Sequence, residues 1–338
     1  MHIRCFLSRT AFLLGLLLSV PAMAGLNEGL SYFDTQQYPK AFTEFKPLAD
    51  RGDQVAQYYL AYLYLNGYGV DRDADTGISY LKKSADQGYE KALSLMGYYL
   101  FEGQNVRQDK NQAVKFYTQA AEKGDNDALL NLGVLYYIGD GVEKDYDMAL
   151  DYFKKVDMID KPIVGRYIGD IYQFSKDEKQ RAETRTFYKL AAASGDLPAF
   201  HTLAYLDQTG FEKEKDLKRA IQYYVYAASQ NYAPSQYALG ILYANGEGVE
   251  RNIASAHAWF SLAATQGLPI AIETQKRLEK NMTLTDLDAS RRAVVEIQKS
   301  IIGKQENPLK SLYASGPLAP GEDGMNVKKP ISRRRRRR

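Results

Sequence analysis

The run Asp71-Arg72-Asp73-Ala74-Asp75-Thr76-Gly77 has the carboxylate density of a calcium loop. A loop of that kind needs its glycine at the sixth position and a bidentate glutamate at the twelfth. Counted from Asp71, the glycine falls one place late and Lys82 stands at the twelfth position. The run therefore reads as an acidic turn whose aspartates favour the N-terminus of the next helix. Only three histidines (His2, His201, His257) and one cysteine (Cys5) are present, too few for a structural zinc site, a disulfide framework or cysteine catalysis. His257, beside Ala256 and Trp259, reads as a packed or partly exposed helix residue with no partner visible in the sequence. There is no Gly-rich phosphate loop ending in Lys-Ser/Thr, no Gly-x-Ser-x-Gly elbow and no His-Glu-x-x-His. Asn281-Met282-Thr283 is a glycosylation sequon that matters only in a eukaryotic source. No catalytic residue, metal ligand or cofactor is assigned, so any function must reside in a surface.

The elements that build this surface come from a globular composition. Of 338 residues, 45% are apolar and 25% charged, which excludes a disordered chain, a collagen or a polytopic membrane protein. Residues 1–24 read as a signal peptide: Arg4 and Arg9 supply the positive start, Ala11 to Val20 the apolar run, and Pro21-Ala22-Met23-Ala24 the small-residue cleavage pattern. That apolar run is about half of the ~20 residues needed to cross a bilayer. The expectation is cleavage before Gly25, a cysteine-free mature chain without a transmembrane segment, and a periplasmic or secreted location.

Beyond the signal the chain repeats. Copies start at Ala56, Ala92, Ala128, Val164, Ala199 and Ser235, in steps of 36, 36, 36, 35 and 36. Five places after each start stands a very small residue: Ala61, Gly97, Gly133, Gly169, Ala204, Gly240. A glycine turn follows in most copies, as in Asn66-Gly67-Tyr68-Gly69-Val70, and then a second apolar period such as Ala113, Val114, Phe116, Tyr117, Ala120, Ala121. Apolar spacing of three and four predicts an amphipathic helix in each half. Gly88, Gly124, Gly195 and Gly267 stand where a left-handed residue would stop the second helix. Each unit is thus helix, turn, helix, and successive pairs must stack to bury their apolar faces.

The pattern A-x-x-x-L-G-x-x-Y-x-x-G-x-G-V, followed by K-A-x-x-Y/W-Y/F-x-x-A-A-x-x-G, resembles the Sel-1-like repeat, a relative of the tetratricopeptide repeat. The resemblance implies an all-α, right-handed α–α solenoid. The expected layout is a partial helical pair over 25–55, six repeats over 56–270, a helical cap over 271–302 begun by a Thr283/Asp286 capping box, and a disordered basic tail over 303–338. The third to fifth copies drift: Asp160 replaces the terminal glycine, and Ser175-Lys176-Asp177-Glu178 and Phe211-Glu212-Lys213-Glu214 replace the glycine turns.

With residues placed 100° apart, positions 1, 5, 8 and 12 of each first helix form the core side. Positions 3, 7 and 10 lie opposite, where Ser94 is expected to be exposed. In tetratricopeptide-like solenoids, the resemblance implies, these positions line a concave groove that binds a protein or peptide. The candidates are Tyr58, Tyr62, Tyr98, Phe101, Tyr137, Arg166, Asp170, His201, Tyr205 and Tyr237. Tyrosine offers rigid area and a hydroxyl at low entropic cost, as binding surfaces favour. The same rings can equally pack against neighbouring first helices. Both readings stand.

Charge divides the chain. Residues 25–302 hold 32 Lys plus Arg against 38 Asp plus Glu, whereas residues 303–338 hold 10 against 3. The tail ends in Arg333, Arg334, Arg335, Arg336, Arg337 and Arg338, which can attract an anionic envelope component or the acidic body itself; nucleic acid is not an expected partner. The leading reading is an exported, non-enzymatic scaffold serving as an adaptor or regulator in the bacterial envelope. Two alternatives stand beside it. One is a secreted factor contacting host proteins. The other is a cell-wall-active, β-lactam-binding enzyme, although that branch of the family is cysteine-rich and its paired cysteines are absent here.

Overall fold

The computed structural model describes residues 19–309, with side chains from Gly25 onward. Most of the expected signal segment (1–18) and the arginine run 333–338 lie outside the described residues. Sixteen helices and no strands occur among the described residues. Two units divide the chain, Met1–Asp157 and Met158–Arg338.

The first unit holds α1 (Ser19–Asp34), α2 (Tyr38–Asp50), α3 (Gln54–Asn66), α4 (Ala74–Asp86), α5 (Glu90–Glu102), α6 (Lys110–Glu122), α7 (Asn126–Ile138) and α8 (Tyr146–Phe153). They pair as hairpins, and α4 and α6 also pack on the first helix of the following hairpin. Local chemistry sets the boundaries. Asp73, Asp109 and Asp145 recur at the helix starts, and each carboxylate accepts a backbone N–H from the first turn. Asp73 therefore does what the acidic turn suggested. First helices end at Gly67, Gly103 and Gly139, whose positive φ satisfies a terminal carbonyl that residues with a Cβ reach only with strain.

Buried Leu60, Leu63, Phe45 and Ala56 form one core between α2 and α3; Leu81, Leu93, Tyr117 and Leu132 belong to the next. Polar bonds fix the register between hairpins: Gln57 donates to Ala49 O (3.1 Å) and accepts from Gln87 (2.8 Å), while Ser84 donates to Gln54 O (2.6 Å).

The second unit holds α9 (Val164–Gln173), α10 (Glu178–Ala193), α11 (Leu197–Thr209), α12 (Leu217–Ser229), α13 (Ala233–Asn245), α14 (Ile253–Thr265), α15 (Pro269–Glu279) and α16 (Leu284–Ser300). The drifting copies remain hairpins. α8 shrinks to 8 residues and α9 to 10, and α9 ends at Phe174 without a glycine. The glutamine brace recurs, Gln236 donating to Ala228 O (3.1 Å) and accepting from Gln266 (2.7 Å).

The cap forms as α15 and α16, both packed on α14, with the reciprocal Thr283/Asp286 bonds in place. One boundary moves. Residues 303–309, assigned to the disordered tail, run back over the unit: Gly303 N–H donates to Ser229 O (2.7 Å), Asn307 donates to Ala192 O and Ala193 O (3.2 Å each), and Leu309 is buried in the core. These bonds and the side chain of Leu309 hold the segment in place, and one large apolar residue is too short a signal to form a period.

Candidate partner-binding surface

Three successive first helices of the first unit, α3, α5 and α7, border a depression of about 360 Å³. Its walls are Tyr58 on α3, Lys91, Ser94, Leu95 and Tyr98 on α5, and Asp125, Asp127 and Asn131 at the start of α7. Tyr98 is 41% exposed and stands edge-on to Tyr99, with ring centroids 5.6 Å apart. Tyr58 is wedged against Tyr59 (5.2 Å) and Tyr89 (5.3 Å), and burial pushes its hydroxyl well above the usual phenol range. One wall is thus fixed and apolar, and the other offers a ring to solvent.

At the floor, Asp125 caps α7 by accepting from Ala128 N–H (2.7 Å). Burial raises its carboxyl pKa, against the lowering effect of bonds from Ala128 and the Ser94 hydroxyl. Ser94 is only 7% exposed, so the expectation that it faces solvent is corrected: its hydroxyl turns to the Asp125 cap. Leu65, another position of the stripe, is also buried, against Gly77 of the following helix. Position 10 lies at the helix end, where the chain turns back toward its partner.

The other candidates divide between the two readings. Tyr62 is half-buried against Phe33 (5.6 Å) and Tyr68 (6.1 Å). Phe101 lies beneath Lys110 Nζ (4.9 Å), and Tyr137 lies beside Tyr146 (5.5 Å). In the second unit, Tyr205 is 50% exposed. Arg166 pairs with Asp196 (3.2 Å) on the next first helix and with Asp170 (3.9 Å), and Asp170 accepts from the Tyr188 hydroxyl (2.6 Å). His201 Nδ1 meets Ser235 Oγ at 3.0 Å, and burial pushes the imidazole pKa down to about 4. Tyr237 packs on Phe260 (5.2 Å) and reaches Thr274 Oγ1 (3.4 Å). Arg166, His201 and Tyr237 thus link neighbouring helices, while Tyr58 and Tyr98 alone among the candidates line the depression.

Lys91, Leu95, Asp127 and Asn131 were missed because they stand at positions 0 and 4 of their copies. On the 100° wheel those positions flank the 3–7 stripe, whereas Asp125 precedes its helix as the cap and has no place on the wheel.

One further constellation bears on catalysis. His257 Nε2 lies 2.9 Å from Glu279 Oε1 and its Nδ1 lies 2.7 Å from Ser290 Oγ, a serine–histidine–carboxylate line with residues from α14, α15 and α16. His257 therefore has partners that the sequence reading did not find. Ser290 is 2% exposed, however, so its hydroxyl is enclosed and the trio fastens the cap to the last hairpin. Among the described residues no group of three or more His, Cys, Asp or Glu is placed to hold a metal, and no helix is long and apolar enough to cross a membrane.

The family model for the Sel1 repeat matches residues 54–89, 90–125, 126–155, 203–232 and 233–268, leaving unmatched the drifting fourth copy, which folds as α9 and α10. A crystal structure of a protective antigen present in uropathogenic Escherichia coli strains, displaying an SLR fold, aligns with a TM-score of 0.74 at 24% identity, over 90% of this chain and 66% of that one. A Sel1 repeat protein from Oxalobacter formigenes aligns with a TM-score of 0.63 at 25% identity, over 71% of this chain and 96% of that one. Protein sel-1 homolog 2 of Rattus norvegicus is 33% identical over 97 residues, which are 29% of this chain and 14% of the rat protein.

Proposed function

The chain belongs to the Sel1-repeat family, and from that premise we propose that it is a scaffold that binds a peptide segment of a protein partner in the Tyr58–Tyr98 depression. The observation that carries this reading is the pairing of a half-buried ring on α3 with an exposed one on α5, beside the polar start of α7. A preformed aromatic wall can receive a side chain without ordering many rotamers. Asp125 and Asp127 against the single Lys91 favour a segment with a basic residue next to its apolar anchor.

The signal-like N-terminus supports placing this scaffold in the bacterial envelope as a non-enzymatic adaptor or regulator, in the periplasm or secreted. Fractionation into cytoplasm, periplasm and medium tests that placement, and cytoplasmic retention would refute it. For the binding role, the test is affinity capture from an envelope extract by wild type and by Tyr98→Ala, at matched melting temperatures. A partner held by wild type and lost by the variant supports the reading. Equal capture by both proteins removes the depression from the function.

A further inference from the structure

A second, smaller cavity of about 40 Å³ lies in the second unit, bordered by Arg185 and Lys189 of α10, Asp207 of α11, Lys213 of the following turn, and Arg219 and Tyr223 of α12. A buried water needs at least about 10–15 Å³ by this measure, so the space suits a few waters or one small oxyanion.

Charge in this cavity is unbalanced. Asp207, with no exposed surface, receives Arg185 Nη1 and Arg219 Nη2 (2.8 Å) on one oxygen and Arg219 Nε (2.6 Å) on the other. Arg185 Nη2 donates to Leu206 O (2.8 Å) and Phe211 O (3.0 Å), and Arg219 Nη1 pairs with Asp216 (3.0 Å). The two carboxylates are thus matched by the two arginines. Lys189 and Lys213 remain, and neither ammonium has a hydrogen bond or ion pair among the described residues. Arg185 is 8% exposed, and its buried Nε also lacks a partner. Burial, then Lys213, Arg219 and Arg185, push the Lys189 pKa below the usual lysine range, against the opposing pull of Asp207. Lys213 is exposed at the rim and Lys189 is half-buried, so the uncompensated charge rests on Lys189 beside the unpartnered Arg185 Nε, where a counter-ion would relieve it. The drift of the fifth copy supplies the last ligand: the turn after Gly210 takes Glu212 through a left-handed φ of 52° and sets Lys213 at the rim.

We propose that this cavity is a binding site for a phosphate-type dianion, inorganic phosphate or a phosphomonoester, with Lys189 and Lys213 as its principal ligands. Two surplus cations match two negative charges, and charge-assisted donors hold such an oxyanion. The inference stands independently of the aromatic depression, which belongs to the other unit.

The test is calorimetric titration of the full chain with inorganic phosphate and with glycerol 2-phosphate, against acetate at matched ionic strength. Saturable phosphate binding, weakened at least about tenfold in Lys189→Met and in Lys213→Met, is expected. Lys189→Met should also melt at or above the wild-type temperature in phosphate-free buffer, because it removes an uncompensated charge. Tighter binding of glycerol 2-phosphate would identify a group carried on a larger ligand, and preference for inorganic phosphate would identify the free ion; either supports the site. Absence of saturable binding, equal binding by acetate, or unchanged affinity in both variants overturns it.

Discussion

The ring of Phe153 lies over Gly133 so closely that a Cβ added to that glycine would stand 2.4 Å from the ring. Phe260 stands at the same distance from the Cβ position of Gly240, the Tyr117 ring at 2.9 Å from that of Gly97, and the Tyr188 ring at 3.1 Å from that of Gly169. The glycine in each of these four first helices is therefore the notch that receives an aromatic ring from the second. Substitution to alanine should destabilise in the order of these distances, Gly133 and Gly240 most and Gly169 least. Gly133→Leu should cost roughly 1–3 kcal/mol or more, because a rigid ring has no space into which to retreat. Urea unfolding of the alanine series checks the order, and four equal costs would show that the ring contact does not set them.

Tyr98 and Tyr62 separate binding from packing. Tyr98→Ala should stay within about 0.5 kcal/mol of wild type, as exposed substitutions generally do. Tyr62→Ala should cost more, because its ring packs on Phe33 and Tyr68. Thermal unfolding of both variants decides this, and a large loss in Tyr98→Ala would return that ring to the core.

The repeat register, the helix pairs and the glycine notches were legible because each rests on a short-range rule repeated at a constant period. The fate of the stripe was not. Whether Tyr98 meets solvent or Tyr237 meets Phe260 depends on what the neighbouring helix presents, and that changes from copy to copy. Ser94 shows the failure best: its position on the wheel is outward, yet the Asp125 cap of the next hairpin encloses it. The His257 trio escaped notice for the same reason, since its partners lie 22 and 33 residues away on helices outside the repeat. The drifting turns were legible only as departures; the cationic cavity that one of them borders required the fold.

Acid should weaken the second unit through His201. Its folded pKa is pushed down to about 4 by burial, below the ordinary 6.5, so between those values the unfolded chain takes up a proton that the folded chain does not. This contribution is intact above about pH 6.5 and declines as pH falls toward 4, with a slope of at most about 1.4 kcal/mol per unit. His201→Gln should flatten that slope relative to wild type in denaturant melts from pH 7 to 4.5. Parallel curves for the two proteins would show that the imidazole titrates normally.

The cap trio predicts a structural outcome in place of a chemical one. Ser290→Ala removes the 2.7 Å partner of His257 Nδ1 in a buried site and leaves only the Ser261 hydroxyl, at 3.5 Å. An unsatisfied buried polar group costs about 1–3 kcal/mol, so the cap should loosen and hydrogen exchange in α16 should quicken. Unchanged exchange in Ser290→Ala would show that the serine does not fasten the cap.

The C-terminal truncations test two parts of the tail separately. Removing residues 310–338 deletes nine of the ten basic residues beyond 302 and spares Asn307 and Leu309. This protein should melt with wild type and lose only a salt-sensitive component of binding to anionic surfaces. Removing residues 303–338 also takes the Asn307 bonds to Ala192 and Ala193, the Gly303 bond to Ser229, and the Leu309 side chain from the core. Burial of a leucine is worth about 1.5–3 kcal/mol and each hydrogen bond about 0.5–1.5 kcal/mol, so the shorter protein should melt several degrees lower. Parallel melts and salt titrations of the two truncations distinguish the roles: equal melting temperatures would show that residues 303–309 add no stability, and equal salt dependence of wild type and the 310–338 deletion would show that the arginine run contributes no attraction.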